Sequence, residues 1–399
     1  MARTRTLEDL DLGTLASKTV LVRVDFNVPL VDGRVADDTR LIAALPTIAE
    51  LRRAGARVLL ASHCGRPKGE PDPGLSLRPV AERLSELIEG PVAFADDCVG
   101  ETAESAARAL APGEVCLLEN LRFHSGEKKN DPLFAAALAG LADAYVDDAF
   151  GTSHRAHASV VGVPERLRRN AAGRLLVREV EVLGRLLESP ERPFVAIAGG
   201  AKIAGKLDTL ENLLPRLDAL VLGGGMANTF LAARGLDLGE SLVERDRLDL
   251  ALEILQRAED LDTRVVLPAD LVVCDDLESP NRIETVAAEE VPSGTKAVDI
   301  GLEGRAELAR EVAAGATIFW NGPLGVFEKP PFDEGTLAAA HALAETSGFT
   351  VAGGGETVAA VRKSGVGEQI DHLSTGGGAS LELLAGKILP GVSVLEVNK

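Results

Sequence analysis

Aromatic residues make up only 3% of this 399-residue chain, too few for the stacking platforms that hold single-stranded nucleic acid. Cysteine is as sparse. Cys64, Cys98, Cys116 and Cys274 stand far apart with no C-x-x-C pair, and they read as small, reduced core or loop residues in a reducing compartment. No apolar run reaches membrane-spanning length, and the opening MARTRTLEDLDLG has no apolar h-region, so a soluble, cytoplasmic protein is expected. Positive charge is short too: the formal net charge is −19, which argues against nucleic acid or an anionic membrane as partner. Low-complexity tracts and short-period repeats are absent.

What is present is ordinary globular composition, 46% hydrophobic and 26% charged, in a chain long enough for two domains of roughly 150–200 residues. Charge is unevenly shared. Residues 1–170 carry a net −4 and the remainder −15. Either the first half gathers cations for an anionic ligand or the difference is chance, and position decides between them. The stretch Asn170–Pro190 places Leu176, Val180, Leu183 and Leu187 at helical spacing and ends at Pro190, which predicts one long helix. At mid-chain between two α/β patterns it reads as an inter-domain connector, or as one more helix packed on a single large sheet.

Along the first half, β-branched strands end in polar loops. Thr19–Val24 runs into Asp25, Asn27 and Pro29, and Asp38-Thr39 then offers N-cap chemistry for a helix with Arg40 in its first turn. Val58–Ala61 precedes His63, Arg66 and Lys68; Val115–Leu118 precedes Asn120 and Arg122; Ala144–Val146 precedes Asp147, Asp148 and then Arg155. In a doubly wound sheet such loops meet at one edge, where ligands bind. Arg66, Arg122 and Arg155, with Arg40 and His63, would converge there as a cluster suited to bidentate grip on phosphate and carboxylate. His63 either donates to the anion or satisfies a loop carbonyl.

The second half is punctuated by glycine. Phe194–Ala198 runs into GGAKIAGK (199–206), of which residues 200–206 fit G-x-x-x-x-G-K except that Leu207 stands where a P-loop needs Ser or Thr for Mg²⁺. A true P-loop is therefore rejected, yet glycines at a strand end, a following helix and two lysines still suit phosphate. Triple glycines recur at 223–225, 353–355 and 376–378, each after a short strand. They let backbone amides approach a ligand and point to a nucleotide cleft. No G-x-G-x-x-G occurs, so the dinucleotide fingerprint is missing.

Nine blocks now stand in order: RVDFNVP (23–29), DDTR (37–40), SHCGRPKG (62–69), ENLRFHSGEKKND (119–131), DDAFGTSHRAHAS (147–159), GGAK (199–202), LGGGMANTF (222–230), FWNGPLGVFE (319–328) and STGGGASLE (374–382). Together, across essentially the whole chain, they resemble the phosphoglycerate kinase family. The resemblance implies two Rossmann-like, doubly wound parallel-sheet domains: 1–169, with a tail of about 381–399 returning to it, for phosphoglycerate, and 190–380 for nucleotide. Residues 170–189 would be the hinge helix about which the two close. It implies reversible phosphoryl transfer between 1,3-bisphosphoglycerate with MgADP and 3-phosphoglycerate with MgATP, in glycolysis and gluconeogenesis, by a monomer acting on small molecules.

By matching position, Asp25, Asn27, Arg40, His63, Arg66, Arg122 and Arg155 would hold phosphoglycerate. Lys202, Lys206, Gly224, Glu328, Gly354, Gly355, Glu356 and Thr357 would meet the nucleotide, Arg40 and Lys202 the moving phosphoryl group, and Glu356 the Mg²⁺. Four positions leave the family pattern: Cys64 stands for Leu, Gly205 for Asp, Leu302 for Pro and Glu356 for the metal-binding Asp. Retained ligation by Glu356 is expected, because Mg²⁺ keeps several waters and takes other oxygens from the nucleotide. Two rival functions differ from this one: an acyl-phosphate kinase for another carboxylate, and a nucleotide-binding regulator without turnover.

Overall fold

Strand β1 (Thr19–Val24) is buried at all six positions, as a parallel strand covered on both faces must be. Five more strands join it: β2 (Arg57–Ala61), β3 (Val92–Ala95), β4 (Val115–Leu118), β5 (Ala144–Asp148) and β6 (Asn170–Ala172). All pairs are parallel and the order across the sheet is β3-β4-β2-β1-β5-β6. The chain thus runs outward from β1 to β3 on one side, turns back to set β4 between β3 and β2, and then crosses to the other side of β1, placing a topological switch between β1 and β5, where ligands sit in such sheets. The structure, a computed structural model, describes residues 3–397.

The chain divides into two compact units, residues 1–181 with 388–399, and residues 182–387. The second is also wound to both sides of its first strand, but with no strand turned back between two others. Its six-stranded parallel sheet runs β9-β8-β7-β13-β14-β15, built from β7 (Phe194–Ala198), β8 (Ala219–Leu222), β9 (Arg264–Val266), β13 (Thr317–Asn321), β14 (Phe349–Gly353) and β15 (His372–Leu373). The switch lies between β7 and β13. Between them in sequence come β10 (Asp270–Cys274), β11 (Ile283–Ala287) and β12 (Lys296–Ile300), a separate antiparallel sheet in the order β11-β10-β12. β9 and β10, parted by Pro268, therefore go to different sheets, with that proline, which cannot donate to a ladder, in the joint. Each unit has its own apolar core, the first around Val20, Val22, Leu41 and Leu60, the second around Ile197, Trp320 and Leu343.

Helix α1 (Thr39–Arg53) follows β1 and a short hairpin. Asp38 occupies its N-cap position, but its carboxylate pairs with Arg83. Asp37 caps instead, its Oδ1 accepting from Thr39 N at 3.0 Å and Thr39 Oγ1 at 2.6 Å.

The mid-chain helix, α2, spans Arg174–Glu188, and Asn170–Ala172 before it belongs to the sheet as β6. Its start is set by distant residues. Asp148 Oδ1 accepts from Leu175 N (2.9 Å) and Leu176 N (3.2 Å), satisfying orphan amides of the first turn. A Cβ at Gly173 would stand 2.2 Å from that same oxygen, so glycine is required. The buried face runs through Leu176, Glu179, Val182, Leu183 and Leu186, while Val180 and Leu187 are half-buried. The stripe is thus rotated from the expected one and includes a carboxylate. The helix Gly378–Leu384 belongs to the second unit, and the return to the first begins at Ile388, where Arg5 donates to Val394 O and Gly391 N to Ser153 O.

Candidate functional site

Each unit carries its candidate residues at the carboxyl edge of its sheet, beside the switch. In the first, β1 delivers Asp25 and Asn27, and α1 places Arg40 so that Nη1 lies 3.0 Å from Asp25 Oδ2 and donates to Asn27 O at 3.1 Å. Asn27 Oδ1 accepts from Gly65 N at 2.8 Å, which ties the β1 loop to the β2 loop. Asn120, past β4, does the same one strand further out: its Nδ2 donates to Cys64 O and Leu75 O.

His63 is buried, and its Nδ1 lies 3.1 Å from Arg23 Nη2. Guanidinium nitrogens only donate, so Nδ1 is the acceptor and the neutral ring carries its proton on Nε2. Burial, and then the charges of Arg23, Arg122, Arg40 and Arg155, hold the imidazole well below the usual histidine range. Its Nε2–H is therefore an uncharged donor in a strongly positive setting.

Arg122 is buried as well. Nη1 donates to Gly65 O at 2.8 Å, whereas Nε and Nη2 are buried with no hydrogen-bond partner among the described residues. Burial, with repulsion from Arg155 and Arg23, pushes its pKa down to about 10, still charged at neutral pH. Unpaired charged donors of this kind carry a large desolvation cost that a bound anion would remove. Arg66 and Arg155 are exposed on the loops after β2 and β5.

Beneath these residues lies a network the sequence reading missed. Arg23 is fully buried in β1 and donates through Nε to Ser159 Oγ at 2.8 Å and through Nη1 to Val24 O. Ser159 in turn donates through N (3.0 Å) and Oγ (2.6 Å) to the buried carboxylate of Glu127. Burial raises the pKa of that carboxyl, but His157, Arg23 and Ser159 together outweigh it and hold it below the ordinary value. The visible signal was an arginine inside TVLVRV: in a strand buried on both faces such a charge needs a partner.

In the second unit the loops after β7 and β13 lock together through backbone. Gly200 N donates to Pro323 O at 2.6 Å, and a Cβ at Gly199 would meet that oxygen at 2.1 Å. Beside them is a cavity of about 240 Å³ whose glycine side includes Gly200, Gly224 and Gly225 and whose apolar side includes Leu242, Leu271 and Ile300. Glu328 and Glu356 complete its rim. Gly354 (φ +97°) and Gly355 open helix α3 (Gly355–Ser364), and Glu356 is exposed in its first turn.

The remaining nucleotide-side residues have separate positions. Lys202 is exposed. Lys206 donates to Gly199 O (2.6 Å) and Asn321 O (2.9 Å), across the switch between β7 and β13. Burial pushes its pKa down to about 8, against the opposing charge of Glu356. Thr357 is buried and its Oγ1 accepts from Gly322 N at 2.7 Å, bracing the glycine loops. Asp299, whose oxygens accept from Ile300 N and Gly335 N, also lines the cavity; burial pushes its pKa up to about 7.

Comparison with known proteins gives one answer. A family model described as phosphoglycerate kinase matches residues 7–387. The phosphoglycerate kinases of Desulforudis audaxviator and Moorella thermoacetica are 55% and 54% identical, over 98% of this chain and 99% and 98% of theirs. Among solved structures, the phosphoglycerate kinase of Coxiella burnetii aligns with a TM-score of 0.88 at 40% identity, over 98% of this chain and 99% of that one. The enzyme of Pyrococcus horikoshii aligns at 0.86 and 32%, over 98% of both.

Proposed function

The chain belongs to the phosphoglycerate kinase family, and from that premise we propose how its residues share the reaction. It is a kinase that moves a phosphoryl group between ATP and the carboxyl group of 3-phosphoglycerate, reversibly. In the direction of ATP use, a carboxylate oxygen of 3-phosphoglycerate attacks the γ-phosphorus. The bond to the β–γ bridging oxygen breaks, leaving ADP and an acyl phosphate. No side chain needs to form a covalent bond, so catalysis is positioning and charge neutralisation.

The unpaired Nε and Nη2 of Arg122 are the observation that carries this reading. With Arg40, Arg66, Arg155 and the Nε2–H of His63 they would grip phosphate and carboxylate, while Asp25 and Asn27 hold Arg40 and the loops in place. Buried Arg23 and Glu127 are positioning residues for that grip. The second unit would take the nucleotide: its base against the apolar wall of the cavity, its ribose at Glu328, its phosphates on the amides after Gly200, Gly224, Gly354 and Gly355. Lys202, exposed and unencumbered by burial, would follow the moving phosphoryl group with Arg40. Lys206 would reach phosphate by exchanging its two carbonyl partners for it. Helix α2, the link between the units, would serve as hinge.

The donor set fits Mg²⁺. Glu356 is an exposed carboxylate on the cavity rim at a glycine-rich turn, and a hard cation that keeps most of its waters needs few protein oxygens. Bound there with the nucleotide, the ion would neutralise phosphate charge. A cytoplasmic monomer acting only on small molecules completes the proposal, in keeping with the net charge of −19, which disfavours nucleic acid as a partner.

A coupled assay of ATP consumption with 3-phosphoglycerate, acetate or carbamate tests the substrate. Turnover with 3-phosphoglycerate alone is expected. Equal turnover with acetate would transfer the reading to another acyl-phosphate kinase, and tight nucleotide binding without any turnover to a regulator.

A further inference from the structure

One cluster of metal-ligating side chains lies outside both half-sites. Asp97 and Cys98 sit between β3 and the helix Gly100–Ala109, and His124 follows the turn after β4. The carboxylate, thiol and imidazole ligand atoms all lie within 4.8 Å of one another, and no other such group occurs among the described residues. We propose that Asp97, Cys98 and His124 form a binding site for a borderline divalent cation such as Zn²⁺, with solvent as the fourth ligand.

Geometry favours it. An ion at the centre of the three atoms would stand within about 2.8 Å of each, and the 2.0–2.3 Å of zinc coordination needs shifts of less than about 1 Å, with Asp97 Oδ1 and His124 Nε2 parting slightly. The His124 Nε2 already meets Asp97 Oδ1 at 2.7 Å, so an ion would take the place of the proton they share. The imidazole is held from behind, stacked on Phe134 with ring centroids 5.4 Å apart. Cys98 is buried while Asp97 and His124 are half-exposed, which gives a route in from solvent and a sulfur floor.

Ligand chemistry selects the ion. A thiolate and an imidazole suit zinc and its neighbours, whereas Mg²⁺ and Ca²⁺ demand oxygen donors. Burial, and then the charges of Asp97, Glu127 and Glu119, hold the Cys98 thiol well above its ordinary range. That same negative surrounding attracts a cation, and binding would release the thiol proton to the buffer.

The test is a titration of the chelator-treated full chain with Co²⁺, whose thiolate complexes absorb by charge transfer in the near ultraviolet. Oxygen ligation at Glu356 would give no such band. One Co²⁺ per chain with this band, displaced by Zn²⁺, is expected in the wild type. Cys98→Ser should lose the band, and His124→Asn should weaken Co²⁺ by about tenfold or more. No band in the wild type, or a band of full strength in Cys98→Ser, overturns the site. Should circular dichroism show Cys98→Ser unfolded, the more exposed His124→Asn decides, and unchanged Co²⁺ affinity there overturns the site too.

Discussion

In the first unit the site is made of side chains, and in the second largely of backbone. Arg122 and His63 are buried donors held by Gly65 O and Arg23, a rigid charged surface prepared before any ligand arrives. The second unit presents glycine amides, an apolar wall and two lysines, one exposed and one bound to carbonyls. The difference suits the ligand proposed for each. Phosphoglycerate is small and anionic at both ends, so guanidiniums that grip bidentately suit it, and mutual repulsion among four of them is the cost of having them ready. A nucleotide offers a flat base and a long phosphate chain, so apolar area and close backbone approach suffice.

That contrast can be broken most sharply at Lys202. If its charge matters chiefly in the transition state, Lys202→Ala should lower kcat by about 10²–10³-fold with little change in either substrate's affinity. A variant that only raises KM would make it a ground-state phosphate ligand like those of the first unit. Next comes Glu356. Glu356→Gln should reduce MgADP-dependent turnover by about a hundredfold, while Glu356→Asp stays active or improves; wild-type rates in Glu356→Gln would hand the metal to another residue.

Arg122→Ala addresses the first unit. Removing a charged hydrogen-bond donor should weaken phosphoglycerate by about ten- to a hundredfold and leave ADP nearly unchanged, with Arg66→Ala acting in the same direction. Calorimetric titration with each ligand checks this, and equal losses for both would erase the division of labour.

The smallest effect is a pH dependence of stability. Burial pushes Asp147 and Asp148 in the first unit, and Asp299 in the second, up to about 7 from an ordinary 3.8. Each folded carboxyl binds its proton more tightly than the unfolded one, so its contribution is full below pH 3.8 and is lost as pH rises to about 7. Asp148→Asn should therefore gain in melting temperature, relative to wild type, between pH 4 and pH 8. Asp299→Asn should do likewise. A difference independent of pH would show that these carboxyls are not the source.

The alternation of strands with polar, glycine-bearing loops was legible from the sequence, because side-chain period and turn chemistry are local properties. So was the arrival of Asp25, His63, Arg122 and Arg155 at one sheet edge, since the carboxyl ends of parallel strands share an edge. Only the tertiary structure decided the rest. It made Asp37 rather than Asp38 the cap of α1, began α2 at Arg174 under the carboxylate of Asp148, fixed the proton of His63 on Nε2 through Arg23, and set Lys206 on the carbonyls of Gly199 and Asn321. It also placed Glu127 and Ser159 beneath Arg23, more than 100 residues from it in sequence. Periodicity reports which way a residue faces. It carries no information about which distant polar group, brought in by another strand's loop, will answer a buried charge.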